Sequence, residues 1–245
     1  MGFPPVPDPA APAPEPTPGE PAATPPPPVY TAPPVATPPP TQAPGGYPVR
    51  LTVIDDRNLH RLWGVPYFGI LVRSILAIPH LIVLMILGLG MYVVMALGWI
   101  PILILGRVPG IQAAWIKEYI HRSTRILAYT YFLFPGGYPP FGPGSPNPVD
   151  LTFDLEGRTI SRFWGIPLIG IIVRYIVLIP HFIVLYILFL VGILFELILW
   201  IPILLLGRYP GWAVSLYGGI LRYSARVEAY LLLLPVPYPP LFSFS

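Results

Sequence analysis

Residues 64–84 read GVPYFGILVRSILAIPHLIVL and open an almost unbroken apolar block, which ends at residues 99–106 with WIPILILG. A helix crosses the hydrocarbon core of a membrane with about 20 apolar residues, and this block is roughly twice that length. The sequence therefore predicts a membrane segment here, and the rest of the chain is interpreted around it.

The same text returns in the second half of the chain. Residues 165–185 read GIPLIGIIVRYIVLIPHFIVL, and residues 200–207 read WIPILLLG. The segments that precede the blocks also correspond, with YPVRLTV at residues 47–53 and NPVDLTF at residues 147–153. Their alternation of apolar and polar residues predicts a short extended segment at the membrane surface. The chain is therefore predicted to contain two tandem copies of one membrane unit.

The duplication divides the chain into four parts. Residues 47–141 and 147–245 are the two copies, and residues 142–146 are a linker of Gly, Pro and Ser. Residues 1–46 are dominated by Pro and cannot bury enough apolar surface to offset their ordering entropy, which predicts a disordered tail with polyproline II character. This tail either docks to a reader of Pro-rich peptides or is an inert spacer.

The composition limits the classes of function. The chain is 54% hydrophobic and 10% charged, whereas a soluble domain carries about 25% charged residues, so lipid surrounds much of it. It contains 0 Cys, which excludes disulfides and Cys-based metal sites. No basic and aromatic stripe points to nucleic acid, and no phosphate loop, nucleophile motif or metal-binding spacing is present. We therefore expect a non-enzymatic protein without a cofactor or metal.

Two features of each block bear on its path through the membrane. Pro79 and Pro180 predict two helical pieces that meet at an Ile-Pro-His corner. Basic residues flank the first block on both sides, with Arg57 and Arg61 before it and Arg107 after it. A single crossing would place half of these charges outside, so we favour a hairpin, for which the roughly 42 residues just suffice. The alternative is one long span per copy that begins at Pro79 or Pro180 and is preceded by an interfacial helix.

A helix with one charged side follows each block. In the first copy that side carries Lys117, Glu118, His121, Arg122 and Arg125, and the second copy keeps Arg222, Arg226 and Glu228. Such a helix is predicted to lie in the membrane interface, with Arg125 and Arg226 as candidate contacts to lipid or to a partner. The predicted fold class is thus an all-α integral membrane protein, a tandem repeat of a helical membrane hairpin (or long kinked span) plus an interfacial amphipathic helix.

Two pairs of polar residues occupy matching places inside the blocks. Arg73 and Arg174 either bind lipid phosphate or extend to the headgroups. His80 and His181 follow the prolines, where they either handle protons or contact a ligand at the repeat interface, or satisfy backbone groups at a broken helix end.

Glu196 is the sharpest single candidate, because the first copy has Met95 at the matching place. An ionisable group inside a membrane helix is costly and indicates a function or a buried partner. We expect it to be protonated, or hydrogen-bonded to the helix of a partner protein, rather than to carry out transport.

The repeated motifs Ile-Pro-His-x-Ile-Val-Leu, Gly-Arg-x-Pro and Tyr-Pro-Pro resemble those of a bacterial family that is common in actinobacteria. Its members carry one or two copies of a membrane domain of unknown function, and the resemblance covers essentially Tyr47 to Leu241. It implies no catalytic residues. The two-copy arrangement is more loosely similar to an accessory membrane subunit of Mce-type lipid importers.

Together these observations predict an accessory or stabilising subunit of a membrane complex, whose partners are membrane lipid and other membrane proteins. The resemblance implies a lipid-uptake transporter of the Mce type as that complex. The alternative is a small transporter or channel at the repeat interface, with His80, His181 and Glu196 along the path. The expected location is the bacterial inner membrane, as a multi-pass protein with its N-terminal tail in the cytoplasm.

Overall fold

The computed structural model describes residues 46–53, 59–65, 68–130, 138–141 and 149–241. They belong to one compact unit, Pro44–Ser245. The predicted disordered tail (apart from its last residue), the predicted linker and Arg57 lie outside the described residues.

Each copy folds into the same order of elements, which are a strand, a short 3₁₀ helix, a long apolar helix and a shorter helix. The first copy contains β1 (Val49–Val53), η1 (Arg61–Gly64), α1 (Phe68–Leu105) and α2 (Gly110–Thr130). The second copy contains β2 (Val149–Phe153), η2 (Arg162–Gly165), α3 (Ile169–Val177), α4 (Ile179–Leu206) and α5 (Gly211–Leu231). The duplication in the sequence is thus also a duplication of structure.

The predicted hairpin within the apolar block is wrong. In the first copy the block forms a single helix, α1, of 38 residues with Pro79 inside it. Gly88 and Gly90 stand where the hairpin tip would be, but they lie beneath the side chains of Tyr119 and Trp115 of α2. These glycines allow close helix packing instead of a turn. The alternative, a long helix that begins at Pro79 after a separate helix, is not what α1 shows either, because α1 is continuous from Phe68.

The Ile-Pro-His corner breaks the helix only in the second copy. There α3 ends at Val177 and α4 begins at Ile179, with Leu178 between them. Helical hydrogen bonds still cross the break, because the Leu178 N–H bonds the Arg174 carbonyl and the Phe182 N–H bonds the Leu178 carbonyl, both at 2.9 Å. Helices α3 and α4 therefore form one kinked rod that corresponds to α1.

The shorter helices pack along the long ones. A Cβ added at Gly98, late in α1, would meet Gln112 at the start of α2. Arg73, early in α1, donates to the carbonyl of Tyr129 at the end of α2. The two helices are therefore antiparallel neighbours. The prediction of a separate interfacial helix is wrong, because the apolar side of α2 contacts protein.

The predicted extended segments pair with each other, so the fold is mostly helical but not all-α. Strands β1 and β2 form an antiparallel two-stranded sheet with Leu51 opposite Leu151 at its centre. Leu51 and Leu151 are buried against the helices, whereas Thr52, on the other face of the pleat, is exposed. The sheet thus has one apolar and one polar face.

The two copies exchange their N-terminal segments. Strand β1 of the first copy packs on α5 of the second, and η1 packs on α4, while β2 packs on α2 and η2 on α1. A Cβ at Gly64 would collide with the backbone of Leu204, and one at Gly165 would collide with the backbone of Leu103. Only glycine permits these contacts, so each copy completes the core of the other.

Three layers result from this packing. Gln112 and Tyr119 of α2 face α1, whereas His121, two residues beyond Tyr119 and so on the opposite side of the helix, faces β2. Within the described residues, neither strand contacts α1, α3 or α4. The order is therefore sheet, shorter helices, long helices.

Two helices, Phe68–Leu105 and Ile179–Leu206, are long and apolar enough to cross a membrane. Only 17% of the most apolar window of each is buried, so neither is the enclosed core helix of a soluble protein. Their outer surface exposes many large apolar side chains, among them Leu71, Met85 and Ile193. Such a surface is typical of a lipid-contacting protein.

Candidate functional site

The ionisable residues of the long helices face the protein interior. Arg73 is 1% exposed, His80 3%, Arg174 2%, His181 0% and Glu196 6%. In helices surrounded by lipid, such groups turn inward because hydrocarbon cannot solvate them. All five predicted site residues of the blocks are therefore available only to neighbours within the fold.

Arg73 lies in a cage of two aromatic rings. Its guanidinium carbon is 4.8 Å from the ring centroids of both Trp63 and Tyr129, and Nη1 donates to the Tyr129 carbonyl at 3.2 Å. A planar guanidinium suits this arrangement, since it stacks on rings and donates at its edge. Arg73 thereby joins η1, α1 and the end of α2.

Arg174 occupies the matching cage of the second copy. It lies 4.6 Å from the Trp164 ring and 4.3 Å from the Tyr230 ring, and it donates to the Tyr230 carbonyl. A contact to lipid phosphate requires an accessible guanidinium, which neither cage provides. In this structure Arg73 and Arg174 hold segments together and do not reach the headgroups.

His80 holds the Tyr-Pro-Pro-Phe segment that closes the first copy. Its Nε2 donates to the Pro139 carbonyl at 2.7 Å, because a carbonyl can only accept. The ring stacks on Phe141 at 4.0 Å and meets Tyr138 edge-on at 4.6 Å. The histidine thus bonds a backbone carbonyl of the closing segment and not, as predicted, a group at a broken helix end, because α1 is continuous at this point.

His181 makes a related contact in the second copy. Its Nδ1 lies 2.5 Å from the Tyr223 hydroxyl, and its ring meets Tyr238 edge-on at 4.9 Å. Tyr238 in turn donates to the Val177 carbonyl at 3.2 Å. The equivalent tail segment is therefore held in both copies, although the hydrogen-bond partners of the two histidines differ.

Glu196 faces α5 and not an external partner. Its carboxyl neighbours the Tyr217 hydroxyl, which donates its single hydrogen to the Gly192 carbonyl at 2.9 Å. Glu196 is 6% exposed, so burial inside the fold leaves no room for the predicted contact with the helix of a partner protein. The predicted protonated state stays a prediction.

Arg125 binds the exchanged strand of the second copy. Its Nε donates to the Val149 carbonyl at 3.2 Å and its Nη2 to the Asp150 carboxylate at 3.0 Å. The Nε2 of His121 donates to the same carboxylate, which can only accept. Burial lowers the pKa of His121 and the neighbouring Arg125 lowers it further, while Asp150 opposes the shift.

Arg226 binds the exchanged strand of the first copy. Its Nε donates to the Val49 carbonyl at 3.4 Å, and its guanidinium lies 4.8 Å from the Tyr47 ring. Tyr47 donates to the Pro237 carbonyl at 2.9 Å, and burial raises its pKa. Arg125 and Arg226 are 7% and 5% exposed, so the structure assigns both to the interior and not to a lipid surface.

Glu228 was predicted on the charged side of its helix but not among the candidate site residues. It lies where α2 and α5 meet. Ser123 of α2 donates to its carboxyl at 3.2 Å. Burial raises the pKa of Glu228 to about 7, and the hydrogen bond from Ser123 opposes this shift only in part. The signal in the sequence was its mismatch with Leu127 at the equivalent place in the first copy.

An apolar groove runs between α1 and the start of α3. Its volume is 310 Å³, and residues that line it include Tyr92, Met95, Trp99, Trp164 and Ile171. The groove lies where η2 of the second copy packs on α1 of the first. Among the described residues, no group of three or more His, Asp or Glu is placed to hold a metal ion.

Comparison with known proteins gives one match. The model of a family described as a domain of unknown function, DUF4389, matches residues 69–141 and, separately, residues 169–243. The predicted tandem duplication of a domain of unknown function is thereby confirmed. Neither the comparison with curated proteins nor that with solved structures yields a match.

Proposed function

This chain belongs to the DUF4389 family, and we propose that it is a non-enzymatic membrane-embedded subunit that binds and stabilises other membrane proteins. The proposed location is the bacterial inner membrane, with the N-terminal tail in the cytoplasm. Its described surface offers a broad apolar exterior and a small polar sheet, so its contacts are with lipid and protein.

One observation carries this proposal, namely that the polar groups of the candidate site are occupied in holding the fold. Arg73 and Arg174 are enclosed in aromatic cages, and His80 holds a chain segment. Arg125 and Arg226 hold the exchanged strands. Groups that are buried and bonded in this way do not meet a substrate, so binding through the outer surface is favoured over chemistry.

Participation in a lipid-import complex is the finer part of the proposal. It is supported by the similarity of the two-copy arrangement to an accessory subunit of Mce-type importers. The apolar groove beside Trp99 and Trp164 adds a place where an acyl chain fits.

A small transporter at the repeat interface is the second candidate, supported by the inward-facing Glu196. His80, His181 and Glu196 each have their own neighbours and form no common cluster among the described residues. This candidate predicts that Glu196→Gln changes ion or substrate flux in liposomes at unchanged expression. Unchanged flux in this variant would contradict the transporter candidate.

The subunit proposal is tested by purifying the tagged full-length chain from its native membrane in mild detergent and identifying what accompanies it by mass spectrometry. We expect membrane proteins in stoichiometric amount, and the components of a lipid importer if the finer proposal holds. An unrelated membrane protein with the same tag is the control. A chain that always purifies alone, with lipid only, would contradict the subunit role.

A further inference from the structure

The apolar surface of the long helices is longer than a membrane is thick. Exposed large apolar side chains occur along α1 from Phe68 to Leu105, a distance of about 55 Å at 1.5 Å per residue. The hydrocarbon core is about 30 Å thick. Even a tilt of about 40° would leave roughly 40 Å of apolar helix along the membrane normal.

Both long rods lie on the same side of the molecule. The antiparallel strands pair about Leu51 and Leu151, so a pseudo-two-fold axis passes through the sheet at right angles to its plane. Rotation about this axis exchanges the copies without moving any element to the other side of the sheet. Since α1 lies beyond α2 from the sheet, the α3–α4 rod lies beyond α5 on that same side.

The exterior of these rods, which we call the apolar face, exposes no charge. Among the described residues, α1, α3 and α4 contain the charged residues Arg73, Arg174 and Glu196, and all of them are buried. Exposed charges lie elsewhere, for example Asp154 and Glu156 in the loop after β2.

Exposed arginines mark both ends of the rods. Arg61 lies beside Gly207 and so next to Arg208, at the end of α4. Arg162 lies beside Gly106 and so next to Arg107, at the end of α1. A pair of exposed arginines therefore lies at each end of the apolar face. Arginines attract anionic lipid headgroups.

Rods that crossed the bilayer would place the sheet inside the hydrocarbon. The pseudo-two-fold axis passes through the sheet and through the middle of the antiparallel rods. If the rods spanned the bilayer, the sheet would therefore lie at the mid-depth of the bilayer. Among the described residues neither strand has a further strand at its outer edge, where Arg125 and Arg226 each bond one carbonyl. Thr52 and Asp150 lie on the exposed side of the sheet. Open sheet edges are not found in contact with lipid tails, because their backbone groups cannot be satisfied there.

We propose that α1 and the α3–α4 rod lie side by side in the plane of one membrane leaflet rather than crossing the bilayer. The apolar face meets the acyl chains, the two arginine pairs contact anionic phosphates, and the sheet faces water. This inference rests on the proposed membrane location, and it replaces the expected multi-pass topology. Both copies then have the same orientation to the membrane.

Chemical labelling at the two ends of the rods distinguishes rods that lie in the membrane plane from rods that cross the bilayer. His60 and Ser161 are exposed residues at equivalent places before η1 and η2, at opposite ends of the rods. The chain contains 0 Cys, so His60→Cys and Ser161→Cys each introduce a unique thiol. Thr52→Cys provides the same probe on the sheet. Each full-length variant is treated with a membrane-impermeant maleimide in intact cells and again after permeabilisation.

We expect the three thiols to behave alike, protected in intact cells and labelled after permeabilisation, or all labelled in both. Labelling of His60→Cys in one compartment and of Ser161→Cys in the other would overturn the proposal and establish crossing. Arg107→Cys and Arg208→Cys are a second equivalent pair at the two ends, used if the first pair does not accumulate.

A separate measurement on the same preparations tests whether the chain is in the membrane at all, independently of how the rods are oriented. After a carbonate wash, the unaltered chain should float with the membrane fraction on a density gradient. If it stays at the bottom of the gradient, the membrane location itself fails. If it floats while the end thiols label on opposite sides, only the in-plane arrangement fails.

Discussion

The two copies share the arginines and glycines that hold their segments together, and they differ in the acidic residues buried between their helices. Arg73 and Arg174 sit in matching cages, and Gly64 and Gly165 make matching close contacts with the long helix of the other copy. By contrast, Glu196 of the second copy stands where the first has Met95. The comparison teaches that the pseudo-symmetric frame is built by equivalent contacts, whereas charge differs between the copies both inside it, as at Glu196, and outside it, as at Lys117, which corresponds to Gly218.

The largest expected effect is at the two exchange contacts. Gly64→Ala and Gly165→Ala each place a methyl group against helix backbone that cannot move aside, so we expect each to lower the free energy of unfolding by about 4 kcal/mol. Gly110→Ala, which meets nothing within 4 Å, is the control. Unfolding by SDS titration, followed by circular dichroism, measures the effect. Equal stability of Gly64→Ala and Gly110→Ala would contradict the exchanged packing.

The caged arginines should show the next largest effect, and it should be alike in both copies. Arg73→Met or Arg174→Met leaves a tyrosine carbonyl without its donor and removes two ring contacts, which should cost about 3 kcal/mol. The same titration measures it. A large loss in one copy with none in the other would show that the cages are not equivalent.

Glu228 should make stability depend on pH. Its pKa is raised from 4.5 to about 7, so the folded state holds a proton that the unfolded state releases. The stabilising contribution is complete below pH 4.5 and is lost as pH rises to about 7. Allowing for its partial exposure, we expect a loss of roughly 2 kcal/mol.

Glu228→Gln should remove that dependence. The measurement is the difference in unfolding free energy between the unaltered chain and the variant at pH 5 and at pH 8. The variant should gain relative stability at the higher pH. A difference that does not change with pH would show that Glu228 titrates normally.

The smallest effect is expected where the copies differ inside the long helices. Glu196→Met gives the second copy the residue of the first and removes a buried polar group, which should stabilise the fold by about 1 kcal/mol. The reciprocal Met95→Glu should destabilise it, since the first copy has Ile116 where Tyr217 neighbours Glu196. If both changes were neutral, the acid would have no specific place in the second copy.

Local patterns in the sequence predicted the elements well. The apolar blocks form the long helices, the charged segments form α2 and α5, and the alternating segments form the two strands. Each of these follows from periodicity and composition along a short stretch of chain. The inward position of Arg73, Arg174 and Glu196 follows from the same cost of charge in lipid that made them candidates.

The partners of these elements were not predictable from the same patterns. The hairpin was favoured because flanking arginines were assumed to need a return through the membrane, but Gly88 and Gly90 accept aromatic rings of α2 instead of turning the chain. Arg125 and Arg226 appeared as surface charges, because nothing near them in the sequence shows that strands of the other copy cover them.

The sequence by itself determined that this protein is a duplicated, mostly helical unit with long apolar helices, because hydrophobicity and repetition are properties of each segment alone. Only the tertiary structure decided that the copies exchange their strands and 3₁₀ helices, and that the long helices form one face opposite the sheet. Contacts between segments far apart in the chain depend on the shapes of both surfaces, as at Gly64 against Leu204, and no single stretch of sequence encodes both.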